Sequence, residues 1–520
     1  LNDTSVINAG RSGGYGSAIG LRLGGSYIDV VMNGASSILA GGNDSNYSTG
    51  MLLNGDHFQV TLNDTARVES GSLNRSTGIY VGGSYNSVTL NDASHVSAQY
   101  GPAVQIVRSY YGSSVTLNDD ATIVSTVGTG VDVYDSTYAN VTLNDRASIV
   151  ATYGNGIVLD AASDSTVTLN GDSRIEASVN YAGILVTGNY SAYASEYRSR
   201  RNSIVANAGT TIIGGTGILI ESGYYNNVFA AGYIEGTSGV AIDFSGTVNS
   251  TLTLGTGATV VGSVEGRVGG LDRLILQGEG TLATSINNFD TLSVDANGIW
   301  DLTADLDLDG SFGGLVAVNS GTLAVNADLY AHGGVTIYDG ATLGGNGVIH
   351  GAVVVREGGT LAPGNSPGTI NVVGNVTFDA GSIFAVQFEG TDADRLNVNG
   401  NVSVAPGAII QPEFIGGVDG FSGIIIQATG PIFGTFGVGS GGAVYQTPGE
   451  VYITATSSSS MSAATGGGTA AGFSFLDTVM AQASATYTEP NLWASAIIDR
   501  SDRTSTGASR GYRQTSLLIP

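Results

Sequence analysis

Residues 364–368 spell Gly-Asn-Ser-Pro-Gly. This is the G-x-S-x-G spacing in which a serine on a sharp turn attacks an acyl carbonyl, with the next backbone N–H helping to hold the oxyanion. The next residue here is Pro367, which has no N–H, so the segment reads as a turn. Gly171-Asp172-Ser173 matches the start of a secreted-esterase or serine-protease motif. It stands in repeat phase with Asp92-Ala93-Ser94, however, and is followed by Arg174, so it reads as a structural copy. Asp305, Asp307 and Asp309, followed by Gly310, open a calcium-loop pattern. The twelfth position, where a bidentate glutamate belongs, is Val316. His57, His95, His332 and His350 have no metal-ligand spacing. No catalytic residue, metal or cofactor is assigned, and the chain is expected not to be an enzyme.

The remaining polar chemistry is that of recognition. Asn63, Asn91, Asn118, Asn144 and Asn170 recur at one point of a repeated segment, and Asp64, Asp92, Asp119 and Asp145 directly follow the first four. Stacked amides bond to one another, and Asn tolerates the left-handed backbone of a sharp turn. The aspartates form a second column whose like charges repel modestly when solvated. They read first as a solvated corner and second as an acidic edge that meets a cation or a partner. Tyr27, Tyr85, Tyr110, Tyr111, Tyr138, Tyr190, Tyr224 and Tyr225 each precede the same strand signal. In phase they line an edge suited to glycan stacking or protein contact, or they brace a turn ladder. The candidate binding edge is thus Tyr85, Tyr110, Tyr111, Tyr138, Asn91, Asp92, Asn118, Asp119, Asn144 and Asp145. A candidate binding loop holds Tyr190, Tyr193, Tyr197, Arg198, Arg200 and Arg201, the one basic cluster on an acidic molecule.

What must position these residues is a repeat. The segment VTLND starts at Val60, Val88, Val115 and Val141, and VTLNG at Val167, with intervals of 28, 27, 26 and 26 residues. A fixed period of this size means one supersecondary unit stacked on itself. Each unit carries three strand signals: the VTL triplet, a small-x-Val/Ile unit (Ser94 to Val96), and a Gly-apolar-x-apolar unit (Gly78 to Val81). Turn residues separate them, and the connections are too short for crossover helices. The pattern predicts an all-β, right-handed parallel β-helix with three strands per rung. Val88, Leu90, Ile79 and Val81 should point inward, and Thr89 and Tyr80 outward. Val167 to Ile204 is 37 residues, about 11 too many, so a loop over residues 190–202 should be extruded there. Residues 1–262 then form rungs of about 26 residues. Residues 263–360, where GTLA recurs at Gly280, Gly321 and Gly359, form rungs of about 20.

Composition agrees. Of 520 residues 80 are Gly and 9 are Pro, and only Pro102 precedes Pro363, so strands run almost free of their breaker. The net charge of −25, with every basic residue an Arg, opposes nucleic-acid binding. No cysteine occurs, which suits a chain that threads a membrane unfolded. No apolar run reaches 18 residues, so no spanning helix is expected. Leu1 begins inside a repeat, its LND matching the end of VTLND; a removed signal peptide and an earlier repeat are expected before it.

From Leu361 the text reads LAPGNSPGT, then GNV and DRLNVNG. This resembles the stretch near the C-terminus of autotransporter passenger domains of Gram-negative bacteria, of the pertactin or AIDA-type adhesin kind. With the β-helix the resemblance covers residues 1–456. It implies an autochaperone-like β region at 361–456, a linker and pore helix at 457–490, and the start of a truncated translocator barrel at 491–520. It further implies secretion across the outer membrane to the cell surface, with the translocator of the same polypeptide as one partner. The expected function is adhesion, through self-association of cells or binding to a host surface protein or glycan. The alternative is a stalk for a missing N-terminal head, enzymatic (protease or esterase) or receptor-binding.

Overall fold

In the computed structural model residues 1–456 form one compact unit. The structure describes them except for residues 11–16, 42–46, 72–73, 189–198, 309–312, 365–366, 416–419 and 440–441. The expected linker, helix and barrel entry at 457–520 lie outside the described residues.

Each strand signal becomes a strand, and each strand pairs in parallel with its counterpart one rung away. The VTL triplets form Gln59–Leu62, Ser87–Leu90, Ser114–Leu117, Asn140–Leu143 and Thr166–Leu169, with Val60, Val88, Val115, Val141 and Val167 in one register column. The second strands align Val68, Val96, Ile123 and Ile149. The third align Ile79, Val104, Val131, Ile157 and Ile184. The result is a parallel β-helix of about 15 turns. No helix among the described residues is long and apolar enough to cross a membrane.

Alternation decides which side chains fill the coil. Val88, Leu90, Ile79 and Val81 are buried, and Thr89 and Tyr80 face out. Burial of one such side chain contributes about 1.5–3 kcal/mol, and identical columns repeat that gain at every rung. Val167 pairs with Ile204 in unbroken register across the long interval, and residues 189–198 of the expected loop lie outside the described residues. Ser199 to Asn202 are back in the rung: Ser199 and Asn202 are buried, and Arg200 bridges Ser163 and Tyr224. Residues 199–202, expected in the loop, thus belong to the wall of the rung.

Beyond residue 262 the first and second strands fuse into long ones, Arg273–Leu282, Thr291–Leu302 and Leu315–Val325. The core takes larger side chains here, including Trp300, Phe378, Phe384 and Phe388, all buried. Parallel rungs continue past Leu361 as far as Val402–Val404, which pairs with Ile432–Phe433. The coil then closes with antiparallel pairing of Gly420–Ala428 and Gly442–Gln446 on Glu450–Thr456. That cap covers an edge which would otherwise expose unpaired backbone groups.

Candidate functional site

The Asn column is a continuous ladder. Asn33 donates to Asn2, Asn63 to Asn33, Asn91 to Asn63, Asn118 to Asn91, Asn144 to Asn118, Asn170 to Asn144 and Asn207 to Asn170, each Nδ2 to Oδ1 at 2.7–2.8 Å. It extends past the perfect copies at both ends, taking in Asn2 of the opening LND and Asn207 of a decayed repeat.

The left-handed residue of this corner is the Asp and not the Asn. Asp64, Asp92, Asp119 and Asp145 have φ of 59, 56, 58 and 57°, and glycine takes the place at Gly34 and Gly171. The reason is that Asn still belongs to the strand: its N–H donates to the sheet, as Asn63 does to the Met32 carbonyl. The chain reverses one residue later. The carboxylates are also more than a solvated column. Asp92 accepts the backbone N–H of Asp64 at 2.9 Å, and Asp119 and Asp145 accept those of Asp92 and Asp119 at 3.3 Å. Each charge is tied to the rung before it, which offsets repulsion along the column.

At the other end of the VTL strand lies the aromatic column. Tyr27, His57, Tyr85, Tyr138 and Tyr225 each precede their strand by the same offset, and all are left-handed, with φ of 57–60°. Bulky residues rarely accept this backbone, at a cost of about 1–2 kcal/mol each. Stacking offsets part of it. Tyr27 lies on His57 at 4.4 Å, His57 on Tyr85 at 4.8 Å, and Tyr85 on Tyr111 at 5.7 Å between ring centroids. Tyr111 reaches the stack although Gly112 occupies the left-handed place on its rung. Tyr110 instead donates its hydroxyl to Asp135. Tyr27, Tyr85, Tyr111 and Tyr138 are more than half exposed.

The predicted single edge is therefore two edges. Tyr85 and Asn91 bracket the strand Ser87–Leu90, roughly 20 Å apart at strand rise. Between them lies a flat face of outward Thr61, Thr89, Thr116, Thr142 and Thr168, aligned rung on rung.

Of the candidate loop, Tyr190, Tyr193, Tyr197 and Arg198 lie outside the described residues. Arg201 sits in the wall of the rod at the left-handed place, φ 52°, and grips both carboxylate oxygens of Asp164 at 2.6 and 2.7 Å. Arg200 donates to the Tyr224 hydroxyl at 3.2 Å. Both cations are engaged within their own chain and are not held out on an arm.

A third ladder has no visible signature in the sequence, because its members differ in type. Asn86 accepts the N–H of Phe58, Ser113 that of Asn86, Ser165 that of Ala139, Asn202 that of Ser165, Asn226 that of Asn202, Ser250 that of Asn226, Asp272 that of Ser250, and Asp290 that of Asp272. All these acceptors are buried. Each satisfies a turn N–H that water cannot reach. Burial pushes the Asp272 carboxyl up to about 6, against the hydrogen bonds from Ser250 and Arg267 that favour its charge.

Asp132 was equally illegible. It stands on the outer side of the third strand between Gln105 and Val158 of adjacent rungs. Part of its surface stays accessible, yet enclosure pushes its carboxyl up to about 6, against the Gln105 amide that donates to it at 2.8 Å. An unfolded aspartate titrates near 4, so the folded chain holds this proton more tightly. Stability from this group is full at low pH, falls as pH rises from about 4 to about 6, and stays lost above. Asp132→Asn keeps an acceptor for Gln105 and removes the charge. It is expected to stabilise the protein by up to about 3 kcal/mol at pH 7.5 and by almost nothing at pH 4. Denaturant melts at the two pH values check this; an equal effect at both would refute it.

The motifs set aside above take structural places. Ser173 is fully buried in the small-residue column of Ser94. Asp305 and Asp307 are exposed on either side of buried Leu306, Asp305 accepting the N–H of Asp328; Asp309 and Ser366 lie outside the described residues. His57 belongs to the aromatic stack, His95 meets Thr122, and His350 stacks on Tyr330. No group of three metal-ligating side chains occurs among the described residues. No family model and no curated protein sequence matches the chain. Fold and site define the class by themselves: a β-solenoid whose wall is built from stacked polar and aromatic ladders, a fold consistent with an autotransporter passenger.

Proposed function

We propose that this chain is the passenger of a Gram-negative autotransporter, displayed at the cell surface and acting without catalysis as an adhesin. The observation that carries the reading is the flat threonine face framed by the Asn/Asp corner and the exposed aromatic column, repeated over the rungs from Thr61 to Thr168. Such a face makes many weak identical contacts that sum by multivalency. Its first form is self-association of rods on neighbouring cells; binding to a host protein or glycan is the second. The LAPGNSPGT stretch and the absence of cysteine support secretion through a barrel of the same polypeptide.

Because Arg200 and Arg201 are spent within the chain, contact between rods rests on hydrogen bonding and not on opposite charge. Two rods of net charge −25 repel, and salt screens that repulsion. Cells displaying the passenger should therefore settle faster at 0.3 M than at 0.03 M salt, and Thr116→Glu with Thr142→Glu should abolish settling with little change in melting. Dispersed cells at every salt concentration, or settling indifferent to the paired glutamates, would refute self-association through this face.

A further inference from the structure

We propose that a trench on the outside of the rod binds a linear, carboxylate-bearing oligosaccharide along the rod axis; this rests on the adhesin reading and names its ligand. Two cavities of 420 and 610 Å³ share Asn249, Leu271 and Arg273 in their walls, so they form one trench running from Arg201 to Tyr338. Along the first-strand column it crosses the rungs of Ser203, Asn227, Thr251, Arg273, Thr291, Leu315 and Thr336. At rung spacing that is roughly 29 Å, an extended and open shape that suits a chain molecule and not a compact one.

The wall changes character here in two ways. The aromatic stack ends, and Tyr225 follows Arg201 and precedes Asn249 in the left-handed column. Its only ring neighbour among the described residues is Tyr224, met edge-on at 79°. Tyr225 is half exposed and free of the ring-on-ring stacking that engages His57 and Tyr85. Charge changes too. Arg273 is exposed and has no ion-pair partner among the described residues. The nearby carboxylates are committed, Asp164 to Arg201 and Asp290 to the backbone N–H of Asp272. On an acidic rod this is a local site for an anion. Asn227, Asn249 and Thr251 supply the amides and hydroxyl that sugar hydroxyls require. Tyr225 stacks on a sugar ring, and Arg273 takes a carboxylate two rungs further on.

The test uses the purified chain with fluorescent hexagalacturonate, and with uncharged cellohexaose of equal length. Hexagalacturonate should bind saturably and more weakly as salt rises. Arg273→Gln and Tyr225→Asn should each weaken it about 10-fold without lowering the melting temperature, since Asn accepts the left-handed turn. Failure of hexagalacturonate to bind, equal binding of cellohexaose, or undiminished binding by the double variant would overturn the proposal. So would a dimer of the chain that Arg273→Gln dissolves, since the occupant would then be a second copy. Adhesion of displaying cells is scored separately. Oligosaccharide binding without adhesion sinks the adhesin reading and keeps the site; adhesion that survives loss of oligosaccharide binding does the reverse.

Discussion

Gly156→Val is expected to break the rod locally, at a cost above about 3 kcal/mol. Gly156 opens the third strand of its rung, in a column with Gly78, Gly130, Gly183 and Gly217. Its backbone is not left-handed; the constraint is space. A Cβ on Gly156 would run into Ile175 Cγ2 and the Gly183 carbonyl, that is, into a packed side chain and the backbone of the next rung. The same column accepts Ala103, so a single carbon is absorbed on one rung. Gly156→Ala should accordingly cost about 1–3 kcal/mol. Two further methyl groups have nowhere to go, and parting the rungs would break the ladders on both sides. Since each rung touches only its neighbours, the damage should show as protease cleavage near residues 150–185 before global melting. A valine variant with parental resistance to proteolysis would refute the packing argument.

Asn118→Ala should cost about 3 kcal/mol, although the residue is only partly buried. Asn118 donates to Asn91 and accepts from Asn144, both at 2.8 Å. Alanine leaves the Asn91 oxygen and the Asn144 amide without their partners, at about 1–3 kcal/mol for each group. Asn207 makes one such ladder bond among the described residues, to Asn170, so Asn207→Ala should cost about 1–2 kcal/mol. Denaturant unfolding of the two variants compares them. Equal losses would mean that the ladder bonds are exchanged for water without penalty.

Legibility in the sequence followed sameness. Val88, Thr89 and Leu90 recur with fixed spacing, so their inward and outward directions could be read directly and the structure agrees. Asn63 to Asn170 were legible as a column for the same reason. Asp64 and its counterparts were legible as a column but not as the turn residue, because which of two adjacent residues reverses the chain depends on where the ladder of backbone bonds stops. The buried column from Asn86 to Asp290 was hidden, since Asn, Ser and Asp do one task there with different side chains. Arg201 looked like part of a free basic arm; its pairing with Asp164, 37 residues away, exists only once the rungs are stacked.

The sequence by itself determined that the chain winds into a stacked coil, how long each coil is, and which residues fill it. Alternation and period are local properties, and a solenoid repeats local properties. The tertiary structure alone decided which surfaces exist. It stacked Tyr27, His57, Tyr85 and Tyr111 ring on ring, tied Arg200 to Tyr224 and Arg201 to Asp164, and opened the trench beside Arg273. Those outcomes depend on contacts between residues one or more rungs apart, where small differences in turn length shift what meets what.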